Sequence, residues 1–216
     1  MSDRIATVWR YARAHHAYGL AVGLALVTAC DALFGSINIS LPAGNAVGVA
    51  VVPFRRELPI AFAALAAGSL HSVMADMERA ASKTFRTFEV THVVVVSAVT
   101  VALLGSAEAI FTTSELAVVM MRALLIWIGL ALLSGRIFGW MLSWILPVLT
   151  IFPLTYYGAG DLGRHRWWDW TSQPSTSIPC WVLAVVSISI GAVALGLTPW
   201  RLRGRRSRRP GIPSNQ

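Results

Sequence analysis

The sequence predicts an all-α, polytopic membrane protein with six transmembrane helices, and three observations predict it. Apolar runs close to twenty residues long recur along the whole chain. Charged residues make up only 13% of the 216 positions, about half the roughly 25% of a soluble domain. Lysine and arginine gather in segments that six crossings would put on one side of a bilayer. A surface facing lipid accounts for the 56% hydrophobic content better than a single buried core does. The length suits one transmembrane domain, residues 1–200, followed by a basic tail, residues 201–216.

A membrane-crossing helix needs about 20 mostly apolar residues. The first such run is 18–37, and the second is 58–73, continuing to about residue 77. The third is 90–111, the fourth 116–134, the fifth 137–157 and the sixth 178–197. Residues 47–53 are apolar but too few to cross, so a loop or a segment dipping into the interface is expected there. The 18–37 run exceeds a secretory h-region and no small-x-small site follows it, which predicts an uncleaved span. Cys30 and Cys180 fall in separate apolar runs without metal-ligand spacing and read as small packing residues.

Six spans place both termini on one side. That side receives Arg4, Arg10, Arg13, Arg79, Lys83, Arg86, Arg136 and the six arginines of "RLRGRRSRRP", thirteen basic residues in all. The opposite side receives four: Arg55, Arg56, Arg164 and Arg166. The bias predicts a cell-membrane protein with both termini in the cytoplasm. The net charge of +8 is then a topology feature, and it calls for no nucleic-acid partner. The tail has two prolines and no apolar run, which predicts disorder and attraction to anionic lipid headgroups of about 1 kcal/mol per charge.

The passage "SLHSVMADMERAASKTFRTFEVTHVVVV", residues 69–96, is a charged island between the second and third spans. Read as a helix over 76–89, it puts Met77, Ala81, Phe85 and Phe88 on one face and Arg79, Lys83 and Arg86 on another, with Glu78 beside the basic stripe. A short amphipathic helix of this kind rests on the membrane surface or meets a soluble partner. His71, Glu78 and His92 are candidate metal ligands, but their spacing matches no zinc motif. The lysine in "AASKTF" lacks the glycine that a phosphate-binding loop places directly before it: Ser82 occupies that position. The chain therefore binds no ATP by that route.

Two ionisable residues lie well inside apolar runs, Asp31 and Arg122. A charge at the bilayer centre costs about 2.5–3.5 kcal/mol on insertion scales, so each needs a partner or water. The two fall at similar depths and are expected to pair; lining a substrate path is the functional alternative. Glu108 and Glu115, at the outer edge, are expected in water. Trp167, Trp168, Trp170 and Trp181 read as an interfacial anchoring belt.

Three passages resemble the short six-span membrane subunits of ABC-type exporters associated with drug or natural-product efflux. "LHSVMADMERAASKTFR" is similar to that family's second-span exit and cytoplasmic coupling helix. "MRALLIWIGLALLSGRIFGWMLSWILP" resembles its closely joined fourth and fifth spans, and "RWWDWTSQPSTSIPCWVLA" its external aromatic segment before the last span. The amphipathic "DRIATVWRYARAHHAYG" looks like its N-terminal interfacial helix. The resemblance, spanning residues 9–201, implies a permease that works as a homodimer or heterodimer, with ATP held by a separate ATPase subunit. It implies ATPase coupling through Glu78, Arg79 and Arg86, and no catalysis or cofactor in this chain. Two other readings stand beside it: a non-transporting accessory or immunity protein, and a membrane-embedded metal enzyme using His71, Glu78 and His92.

Overall fold

The computed structural model describes residues 17–44, 48–71, 83–158 and 165–196, and of residues 50 and 83–86 the backbone alone. Glu78, Arg79, the tail and most of the N-terminal segment lie outside the described residues, as does the side chain of Arg86. Among the described residues, six helices carry the architecture: α1 Ala17–Phe34, α2 Leu58–Gly68, α3 Lys83–Phe111, α4 Ser114–Phe138, α5 Ile145–Tyr157 and α6 Ile178–Gly196. Among the same described residues, five stretches are long and apolar enough to cross a membrane: Ala17–Phe34, Thr87–Phe111, Ser114–Phe138, Trp140–Tyr157 and Ile178–Gly196.

The second expected span appears as α2, whose eleven described residues cover about 17 Å. It is short but buried on most of its surface: Phe62, Ala63 and Ala67 are at most 1% exposed. At its far end the Ser69 hydroxyl and His92 Nε2 of α3 lie 2.9 Å apart. A Cβ on Gly68 would meet the Ser143 hydroxyl, just before α5, at 3.9 Å. Protein rather than lipid surrounds α2, so its length need not match the hydrocarbon layer.

The central helix is α4, which buries Ala123, Leu124, Trp127, Ile128 and Ala131 against its neighbours. Its start is capped by Thr113, whose hydroxyl oxygen accepts the Leu116 N–H. Glu115 in its first turn and Arg136 in its last complement the helix dipole. Small residues bring α6 close: a Cβ on Gly191 would lie 2.7 Å from the Gly129 carbonyl oxygen. Ser187 donates across the same contact to the Ile126 carbonyl at 2.8 Å. Close backbone approach and an interhelical hydrogen bond are the means by which apolar helices associate in lipid.

The expected all-α fold and its boundaries need three corrections. Asn38–Pro42 and Val49–Pro53 form an antiparallel hairpin, β1 and β2, with Ile39 opposite Val52 and Leu41 opposite Ala50. The β-branched run "VAVVP" favours a strand, and Gly48 supplies the positive φ of 73° near the turn. Of the helix expected over 76–89, residues 83–89 continue into α3, because no proline or glycine interrupts the stretch before Val90, and residues 76–82 lie outside the described residues. The fifth span begins later than residue 137: Gly139, at φ 104°, ends α4, and a 3-10 turn over Trp140–Leu142 precedes α5.

Candidate functional site

The hairpin, the turn Phe54–Arg56 and the loop before α6 bring the buried charges together at one end of the bundle. Arg55 Nε donates to Asp31 Oδ1 at 2.9 Å and lies 3.4 Å from Glu108 Oε1, while its Nη2 donates to the Asp31 carbonyl. Both carboxylate side chains are only 1% exposed. Room for the pair comes from Gly35, where a Cβ would lie 2.6 Å from Asp31 Oδ1 and 2.8 Å from Arg55 Nε.

Its neighbour Arg56 turns to the loop. Arg56 Nη2 meets Asp169 Oδ1 at 2.6 Å, and Nε donates to the Thr171 hydroxyl. That hydroxyl donates in turn to Asp169 Oδ1 at 2.8 Å, and His165 Nδ1 lies 3.0 Å from Asp169 Oδ2. Glu57 is half-buried; burial pushes its carboxyl above the usual carboxylate range, against the pull of Arg56 and with help from Asp169.

The expected pair of Asp31 and Arg122 does not form. Arg122 is fully buried and donates to the carbonyls of Pro174, Trp170 and Gln173, each at 2.8 Å. The end of the loop offers three convergent acceptors at that depth, and Arg55 reaches Asp31 from the adjoining turn. Glu108, expected in water, is 1% exposed for the same reason. Glu115 is exposed as expected, with the Ser175 hydroxyl 3.5 Å away.

The tryptophans divide. Trp170 meets Trp127 edge to face at 6.3 Å, and Trp168 packs on the core, so neither is a simple anchor. Trp167 is 64% exposed, and Trp181, exposed as well, donates to the Ser175 carbonyl. Cys180 is buried as expected, whereas Cys30 is exposed.

These groups supply most of one another's partners, Asp31 Oδ2, Glu57 Oε2, Arg122 Nε and Trp170 Nε1 being left without one, and the cluster acts as a clamp holding the loop 165–177 and the hairpin onto the helix ends. Among the described residues no group of three or more His, Cys, Asp or Glu could hold a metal; His92 instead faces Ser69. A groove of about 680 Å³, lined by Leu20, Leu24, Thr28, Val99, Leu103 and Phe111 among others, runs between α1 and α3 and is almost wholly apolar.

Sequence reasoning missed Arg55, Arg56, His165, Asp169 and Thr171. The findable signal was "VVPFRRELP", two adjacent arginines beside an apolar helix in a charge-poor chain, with a lone aspartate in "WWDW". Set against protein-family models, curated proteins and solved structures, the chain gives no match.

Proposed function

We propose that this chain is the membrane-spanning subunit of an ABC-type exporter, in which a separate ATPase subunit hydrolyses ATP and two permease subunits, identical or different, form the pathway. On this reading the chain crosses the cell membrane six times, with α2 as the short second crossing and both termini in the cytoplasm. The clamped hairpin end faces outward. The island around residues 76–89 docks the ATPase through Glu78, Arg79 and Arg86.

The observation that carries the reading is the difference between the two ends. The hairpin end uses its buried charges on itself, through Arg55, Arg56 and Arg122. At the other end α3 begins at Lys83 and runs for 29 residues, more than the roughly 20 a crossing needs. Its length therefore lets its first turns extend beyond the hydrocarbon layer, which a docking island beside them would require.

Reversing the charges of Glu78 and Arg86 together tests this. Truncating a buried charged contact at an interface costs about 2–5 kcal/mol. The doubly reversed protein should stay folded in the membrane while losing co-purification of its ATPase and transport-coupled ATP hydrolysis. A variant that keeps both would overturn the docking role.

A further inference from the structure

Two carboxylates and one guanidinium meet at the hairpin end, and their charges do not balance. Asp31 and Glu108 are almost wholly buried. Arg55 Nε serves both, at 2.9 Å from Asp31 Oδ1 and 3.4 Å from Glu108 Oε1. The helices that carry the two acids add to the excess. Asp31 stands in the last turn of α1 and Glu108 in the last turn of α3, and neither turn holds a basic residue. A helix ends in partial negative charge, so each carboxylate sits at the pole that repels it.

The neighbouring cations are committed elsewhere. Arg56 is bonded to Asp169, which also faces His165, and Glu57 lies beside Arg56 and Asp169. Arg122 is bonded to the carbonyls of Trp170, Gln173 and Pro174. Within the cluster, Asp31 Oδ2 is enclosed and has no partner. Glu108 Oε2 lies 3.1 Å from the Thr112 hydroxyl, but that hydroxyl has one hydrogen and a shorter contact, 2.6 Å, with the Glu108 carbonyl oxygen. The Asp31 and Glu108 carboxyls are within hydrogen-bonding reach of each other. Two carboxylates so placed repel, and a hydrogen bond joins them only when one carries a proton. An uncompensated buried charge is costly, and a proton removes it without needing space.

We propose that Asp31 and Glu108 form a proton-binding site, in which one proton is shared between the two carboxyls while Arg55 balances the charge that remains. The proton comes from water at the hairpin end, where the Arg55 side chain is still 14% exposed. It gives the pair the donor it lacks, and Asp31 Oδ2 is the open acceptor. The inference concerns the charge of this cluster alone and does not depend on the exporter reading.

The test is infrared spectroscopy of the full chain in lipid vesicles at neutral pH. A protonated carboxyl shows a carbonyl stretch that is separate from the bands of carboxylates and shifts in heavy water. Glu57→Gln is the background, because burial favours a proton on that carboxyl as well. Against it, Glu108→Gln should remove the intensity of one carboxyl. Asp31→Asn should remove the same intensity although Glu108 is still present, because a single carboxylate facing Arg55 needs no proton. Each substitution keeps a neutral hydrogen-bonding group of similar shape, and if one variant misfolds the other decides alone. Intensity unchanged by either substitution would overturn the proposal. A melting temperature that rises with sodium chloride but not with choline chloride, with no carboxyl intensity to lose, would also overturn it, since a metal cation would then neutralise the pair.

Discussion

Arg55 is the residue on which the hairpin end depends most. It is the counter-charge of Asp31 and lies within reach of Glu108, both almost unexposed. Removing one partner of a buried ion pair costs about 3–5 kcal/mol, because the remaining charge is left in a poor solvent. Arg55→Gln should therefore sharply lower the yield of monodisperse protein in detergent, read by size exclusion of a fluorescent fusion. Adding Asp31→Asn should restore part of the yield; strictly additive losses would show that the two side chains do not meet. Glu57 predicts a pH effect of known sign. Burial raises its carboxyl above the ordinary value of 4.5, so the folded protein favours the protonated form. Its contribution to stability is complete below 4.5 and is lost as pH rises through the elevated value. Glu57→Gln keeps a neutral group at every pH, so its melting temperature should equal or exceed that of the parent at neutral pH, and the two should converge in acid. A variant less stable at neutral pH and unchanged in acid would contradict this. Asp31 and Arg122 were recognisable as groups needing partners from their placement in apolar runs. Which partner each takes was not, because Arg55 and the carbonyls of residues 170–174 are remote from them in sequence and near only after folding.

At the scale of elements, the contact between α4 and α6 is the one most sensitive to a single atom. Gly129 and Gly191 face each other so closely that a side chain on either meets backbone, which cannot turn aside. Overpacking usually costs about 1–3 kcal/mol, and a rigid obstacle puts Gly191→Leu at the upper end of that range or beyond. Its melting temperature in detergent should fall well below that of Val193→Leu, which lies two residues away and is 63% exposed. Equal melting temperatures would mean that the helices are not held at this distance. Helix existence was legible from hydropathy alone, since an apolar run of this length has few alternatives. Helix ends were less so: residues 83–89 carry charges that read as interfacial, yet nothing in them stops a helix, and α3 extends through them. The hairpin was missed because "VAVVP" is as apolar as a fragment of a span, and its partner "NISLP" has no hydropathy signature. Strand pairing is a property of two segments together.

For the whole molecule, the prediction is its sidedness. The thirteen-to-four placement of basic residues favours cytoplasmic termini, so reporters fused at Gln216 and within the 158–176 loop should report opposite sides of the membrane. Identical reports would mean that α6, which lies between the two sites, does not cross and that the count of six is wrong. The sequence by itself determined that this is a helical membrane protein, roughly where its long helices lie, and which buried charges would require compensation. Those conclusions follow from local physics: transfer of apolar residues into lipid, the span length the bilayer demands, and the cost of an isolated charge there. Only the tertiary structure decided that Arg55 compensates Asp31, that Arg122 holds a loop by its carbonyls, that a short α2 can sit enclosed by protein, and that α4 and α6 meet at two glycines. Each of these depends on groups far apart in the chain arriving at one depth and one face. Hydropathy measures how much each segment prefers lipid, but it carries no information about which neighbour that segment will find there.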